Sequence, residues 1–211
     1  MTDPTTTRAG RHAPTTPLDR PDHPDLGDLR GRAELPGPDE GTDRRADGSS
    51  WTVADEPVHS PAAAMLLREY FVEVADRWYR LHRGRGATAE EIEQGLAEHH
   101  SDDLVPPHGV LLVGRYGGEP AGCVGLRRRD GATAELTRMF VRPARRGTGG
   151  GAELLRAADL AARAMGARRI TLDTRLDLVE ARALYARHGY AEIAPYKEDP
   201  YAECFYGKEL V

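Results

Sequence analysis

Between Val141 and Ala152 the chain reads Val-Arg-Pro-Ala-Arg-Arg-Gly-Thr-Gly-Gly-Gly-Ala, and this run limits what the polypeptide can become more than any other. Thr133 to Val141 before it reads as a strand. After it, Leu154, Leu155, Ala158, Ala161, Ala162 and Met165 mark one face of a helix that ends near Gly166. Glycines at a strand-to-helix turn let a ligand approach the main chain closely. The unpaired N–H groups of the helix's first turn, with the positive end of its dipole, then suit a pyrophosphate. Arg145 and Arg146 add charge at the same place.

Several phosphate-binding designs use such a turn. A nucleotide P-loop requires Gly-Lys-Ser/Thr at its end, and the only lysines here are Lys197 and Lys208, so that design is excluded. The spacing Gly147-x-Gly149-x-x-Ala152 does satisfy the dinucleotide pattern, with Asp173 as a conceivable ribose-binding acid. Context argues against it, because an antiparallel meander precedes the turn and only about 60 residues follow it, too few for two mononucleotide-binding halves.

Element order supplies that context. Residues 51–54 are a strand candidate, Ser60-Pro61 opens a long helix carrying Met65, Leu66, Tyr70, Val72, Val74, Trp78 and Leu81, and Thr88 with Glu91 resembles a capping box for a second helix to about His99. Gly109 to Arg115, a Gly117-Gly118 turn and Ala121 to Arg128 read as a hairpin, and Asp130-Gly131 turns into the Thr133–Val141 strand. Beyond the glycine turn come a helix, a strand from Arg169 to Thr174, a helix with Ala181, Leu184, Tyr185 and His188 on one face, and strands at 190–194 and 204–209. The crossover helix should make the strands ending at Val141 and starting at Arg169 parallel neighbours.

Composition separates the first 50 residues from this pattern. They hold seven of the 15 prolines, no aromatic ring except histidine, and only Leu18, Leu26, Leu29 and Leu35 as large aliphatics, too little apolar surface to offset the entropy of ordering them. Residues 1–50 are expected to be a disordered tail and 51–211 the functional domain. Lacking both a signal peptide pattern and an apolar stretch of about 20 residues, the chain is expected to be cytoplasmic and off the membrane. Formal charge is −5, so nucleic acid is a poor candidate partner. Cys123 and Cys204 lie far apart with no clustered histidines, so no metal site is expected, and both read as small buried hydrophobes.

Arg146-x-x-Gly149-x-Gly151 resembles the Gln/Arg-x-x-Gly-x-Gly/Ala acyl-coenzyme A signature of the GNAT N-acetyltransferase superfamily. The resemblance extends to Glu135-Leu136-x-Arg138-Met139-x-Val141-x-Pro143, to Leu154-Leu155, to Leu172-Asp173-Thr174, and to Ala181-x-x-Leu184-Tyr185-x-x-x-Gly189-Tyr190. It implies a fold of the α/β class in its α+β form: a mixed, mostly antiparallel central sheet of about six or seven strands, helices on both faces, and a splayed parallel strand pair.

The resemblance further implies that acetyl-CoA is the co-substrate. Its pantetheine arm would bond along the open strand edge at Met139 and Val141, and its diphosphate would rest on the amides of Arg146, Gly147, Thr148, Gly149, Gly150 and Gly151. Glu135 falls where several members place the glutamate that takes the amine proton, and strand parity puts Glu135, Thr137, Met139 and Val141 on one side. Glu135 could equally be a strand glutamate paired to an arginine. Tyr185 matches the tyrosine that protonates the coenzyme A thiolate, or is a core ring with a satisfied hydroxyl. Many members carry asparagine at position 178, where this chain has Leu178.

The acceptor expected is a primary amine on a small molecule, attacked directly in a ternary complex. Acetylation of protein lysines or N-termini would need an open groove beside the first two helices, and a non-catalytic acyl-CoA-binding module is a third reading. The resemblance leaves a homodimer open.

Overall fold

In the computed structural model, which describes residues 50–210, the helices start and stop on signals their sequence carries. Strand β1 is Trp51–Asp55. Helix α1, Pro61–Arg83, opens on Ser60, whose hydroxyl accepts from the Ala63 N–H at 3.1 Å, and closes on Gly84 in the left-handed conformation. Helix α2, Ala89–Glu98, has the full capping box of Thr88 and Glu91. The expected 1–50 tail lies, but for Ser50, outside the described residues.

Strands β2 (Gly109–Tyr116), β3 (Glu119–Arg128) and β4 (Thr133–Val141) follow as the expected antiparallel meander. A short 3₁₀ turn at Pro143–Arg145 leads to α3 (Gly150–Ala164), then β5 (Arg169–Thr174), α4 (Val179–Arg187), β6 (Ala191–Glu192) and β7 (Cys204–Glu209). One seven-stranded sheet results, in the order β1-β2-β3-β4-β5-β7-β6, antiparallel except for β4 and β5. Strand β6 is shorter than the sequence suggested.

Two hydrophobic layers sandwich the sheet. On one face, Leu154, Leu155, Ala158 and Ala162 of α3 and Tyr185 of α4 pack on Leu112, Val124, Leu126, Ala134, Leu136, Ile170 and Leu172. On the other, Ala63 and Leu66 of α1 pack with Leu104 on Leu111, Val113, Cys123 and Phe140. Adjacent strand residues go to opposite layers, as period-2 geometry requires.

Two irregularities in β4 prepare the site. It pairs with β5 only over Thr133↔Arg169, Ala134↔Ile170 and Glu135↔Thr171, after which the two strands part. Its register with β3 then slips: Gly125 faces Thr137 but Cys123 faces Phe140, so Arg138 and Met139 together oppose Val124 in a β-bulge. The bulge corrects the parity expectation. Glu135 and Thr137 lie on the α1 face, whereas Met139 and Val141 pack against the α3 layer, because one inserted residue reverses the alternation beyond it.

Candidate active site

The glycine turn is shaped by two left-handed residues and fixed by one indole. Gly147 has φ 75° and Gly149 φ 91°, and a Cβ on either would meet nothing within 4 Å, so both face open space. Gly150 and Gly151 are glycines for a different reason. A Cβ on Gly150 would overlap the Trp51 ring, and one on Gly151 would lie 2.9 Å from Leu184. Trp51 Nε1 donates to the Thr148 carbonyl (3.1 Å) and hydroxyl (3.0 Å), while that hydroxyl donates to the Arg145 carbonyl at 2.7 Å. The first turn of α3 leaves its leading amides without intrahelical partners, with the helix dipole behind them, and the side-chain positions of Gly147 and Gly149 beside them are open, an arrangement that suits a diphosphate.

The arginines of the turn do less than their charge suggested. Arg146 folds back, its Nε donating to the Val141 carbonyl (3.0 Å) and its guanidinium gripping Glu73 of α1 at 2.6 and 2.7 Å. Its own N–H bonds the Pro143 carbonyl within the turn. Arg142 holds Glu69, one helical turn before Glu73, at 2.7 and 2.8 Å. Arg145 lies over the Tyr116 ring, 4.9 Å from its centroid. Arg142 and Arg146 thus brace α1 against the turn.

Where β4 leaves β5, a polar cluster closes the parallel pair. Glu135, only 5% exposed, accepts from Arg127 Nε at 2.6 Å, Lys197 Nζ at 2.9 Å and Tyr196 Oη at 3.0 Å. Burial alone would push this carboxyl up, but the hydrogen bonds from Arg127 and Lys197 outweigh it and hold it below its usual range. Lys197 also reaches Asp173 at 2.7 Å, tying the β6–β7 connection across the ends of the parted strands. Tyr201, farther along that connection, packs on Trp78 of α1 (ring centroids 6.0 Å apart) and on His99 just past α2 (6.1 Å).

Tyr185 sits behind the parted strands on α4, its ring against Tyr190 and Tyr206 at 5.8 and 6.2 Å. Burial raises its pKa strongly, and the charges of Tyr70 and Asp173 raise it further, so the phenol keeps its proton through neutral pH. Leu178 occupies the N-cap of α4 and caps nothing. The α1 side chain of Arg77 instead binds the Asp177 carbonyl and the Glu180 carboxylate. The Cys123 thiol, pushed up to about 12 by burial, is no nucleophile.

Strand β4 carries Met139 and Val141 from the strand opening into the turn at residues 146–151 and the head of α3; Glu135 lies on β4 at the last β4–β5 pair, and Tyr185 lies on α4 in the α3-side layer. Sequence reasoning did not anticipate Trp51, Glu73, Tyr196 or Lys197 in these roles. Tyr196 and Lys197 carried a weak signal, since Lys197 is one of only two lysines and lies in the last hairpin. Among the described residues, no group of three or more His, Cys, Asp or Glu is placed to hold a metal, and no helix is long and apolar enough to cross a membrane.

Residues 68–190 match the acetyltransferase (GNAT) family, and the chain belongs to it. It is 30% identical over 144 residues to an uncharacterized N-acetyltransferase of Schizosaccharomyces pombe, a match covering 67% of this chain and 82% of that protein. To IAA acetyltransferase of Azospirillum brasilense it is 35% identical over 101 residues, 46% of this chain and 66% of the relative. PaiA N-acetyltransferase of Thermoplasma acidophilum, solved in complex with coenzyme A, shares the fold with a TM-score of 0.55 at 18% identity, over 76% of this chain and 99% of that one. The chain is an N-acetyltransferase with acetyl-CoA as its co-substrate.

Proposed function

We propose that the chain acetylates the primary amine of a small molecule by direct attack, with Met139 and Val141 offering main-chain groups to the pantetheine arm and residues 147–151 holding the diphosphate. Acetyl-CoA supplies an activated acyl group; the protein must position the amine, stabilise the charge developing on the carbonyl oxygen and return a proton to sulfur. Tyr185 is assigned that last step, for burial keeps its phenol protonated through neutral pH. Glu135 is the weaker assignment. Three donors occupy its carboxylate and lower its basicity, so as a base it would act only by exchanging a donor for the substrate amine.

One observation favours a small acceptor over a protein chain. Tyr201 bridges from the β6–β7 connection to Trp78 and His99, and Lys197 ties the same connection to Asp173, so the side of the sheet beside α1 and α2 is crossed rather than open. The relative named IAA acetyltransferase supports the same choice. A panel of small amines and lysine-bearing peptides, followed by coenzyme A thiol release, tests it: turnover with small amines is expected, and turnover confined to peptides would overturn the reading.

A further inference from the structure

Arg138 is the only non-glycine among the described residues with positive φ, at 53°. A side chain in that region costs free energy that glycine or asparagine would largely avoid, and such strain persists only where the surroundings over-determine it. The surroundings do so through its guanidinium and its carbonyl. Its Nε donates to Ser101 Oγ at 3.1 Å, and one terminal nitrogen donates to the carbonyls of His99 (3.2 Å) and His100 (3.1 Å). Its own carbonyl accepts from the Cys123 thiol at 3.4 Å, and its guanidinium lies 5.8 Å from the centroid of the Tyr70 ring.

These contacts join two places of different purpose. One is the segment just past α2, where a helix end leaves carbonyls without intrahelical partners and a cation is favoured. The other is the β4 bulge, three residues beyond the last β4–β5 pair, where Arg138 and Met139 together oppose Val124 and the regular ladder with β3 is interrupted. Tyr70, beneath the guanidinium, also packs edge-on against Phe140, which follows the bulge on β4.

We propose that Arg138 is a positioning residue for acetyl transfer: anchored on residues 99–101, it holds the β4 bulge in the left-handed turn that aims main-chain groups at the reacting carbonyl, and so couples the α2 side of the site to the chemistry. The inference rests on the transfer reaction assigned above but not on any particular amine.

Three variants separate backbone shape from anchoring. Arg138→Ala keeps the strain and loses the anchor, so the bulge is expected to relax, with kcat falling roughly ten- to a hundredfold, as a small misplacement at a reacting centre can produce, while acetyl-CoA Kd stays within about twofold. Arg138→Gly loses the anchor but tolerates the dihedral, and should recover a large part of that kcat although glycine ordinarily weakens a strand. Arg138→Lys, with a point charge in place of the fork, should fall between them. Hydrogen exchange of the 137–140 amides, read on the acetyl-CoA complex, should speed up in the order wild type, Gly, Ala. Equal kcat per folded molecule in all four proteins, or Ala and Gly impaired alike with unchanged exchange at 137–140, would overturn the proposal. If no small amine turns over, the acceptor reading fails by itself; the exchange order still decides the role of Arg138.

Discussion

Gly149 and Gly150 are neighbours in the chain, and replacing each by alanine is expected to damage a different property. At Gly149 the added Cβ meets nothing, so the folded state suffers only the cost of an L-residue at φ 91°, about 1–2 kcal/mol. In a domain of this size that lowers the melting temperature by roughly 2–8 °C. The methyl, however, projects into the space over the amides that head α3. Losing one charge-assisted bond to a phosphate there, about 1.5–3 kcal/mol, would weaken coenzyme A roughly ten- to a hundredfold.

At Gly150 the balance reverses. The Cβ would stand 2.6 Å from Cη2 of Trp51, so the indole must move, at an overpacking cost of about 1–3 kcal/mol. Its two hydrogen bonds to Thr148 loosen with it, adding about 1 kcal/mol each. A total near 3–5 kcal/mol, or a drop of roughly 6–20 °C, makes Gly150→Ala the worse folder. Differential scanning calorimetry and isothermal titration with coenzyme A read both quantities. A Gly149→Ala protein that binds coenzyme A like wild type, or a Gly150→Ala protein that melts no lower than Gly149→Ala, would refute the reasoning.

Tyr185→Phe removes a hydroxyl and keeps the packed ring; kcat is expected to fall toward the low end of the 10²- to 10⁴-fold range for general acids while acetyl-CoA affinity holds, and stability loss with intact turnover would return the residue to the core. Glu135→Gln should cost roughly 1.5–3 kcal/mol at pH 7. Because the folded-state pKa of Glu135 is depressed, its contribution is complete above the unfolded value of about 4.3 and is lost as pH falls through the folded value, so urea midpoints of mutant and wild type should draw together as pH falls below that unfolded value, and a constant gap down to the acid limit of folding would disprove the linkage. Trp51→Phe keeps a ring against Gly150 but removes the donor to Thr148; about 1–2 kcal/mol of stability should go, and unchanged coenzyme A affinity would show that the turn does not need the indole's hydrogen bonds.

Local signals were legible wherever the cause is local. Ser60-Pro61 and the Thr88–Glu91 box placed two helix starts, alternation placed β5, and the glycine run was read correctly as a turn between strand and helix. What stayed hidden depends on partners distant in sequence. The bulge at Arg138 exists only in register with β3, so alternation read along β4 alone put Met139 and Val141 on the wrong face. Arg146 looked like phosphate charge because nothing in the sequence announces Glu73, 73 residues away, as its partner. Glu135 drew notice by position, yet its three donors come from β3 and the β6–β7 connection, and they decide whether a strand carboxylate is a base or a brace.

The three register pairs that join β4 to β5, with the Ala132 carbonyl accepting from the Arg168 and Arg169 N–H groups beside them, form a short main-chain seam between two parts of one sheet, β1 to β4 and β5 to β7. Such a seam weakens cooperativity: the β5–β7 portion with α4 can open sub-globally at a lower free energy than the meander, held back mainly by side chains of α3 and by the Glu135 cluster. A bound molecule that hydrogen-bonds along both parted edges then does more than occupy a site. Bound as proposed, the co-substrate would supply the rungs the seam lacks and act as a structural element of the sheet, and how sharply the protein melts should then depend on how much of it is present.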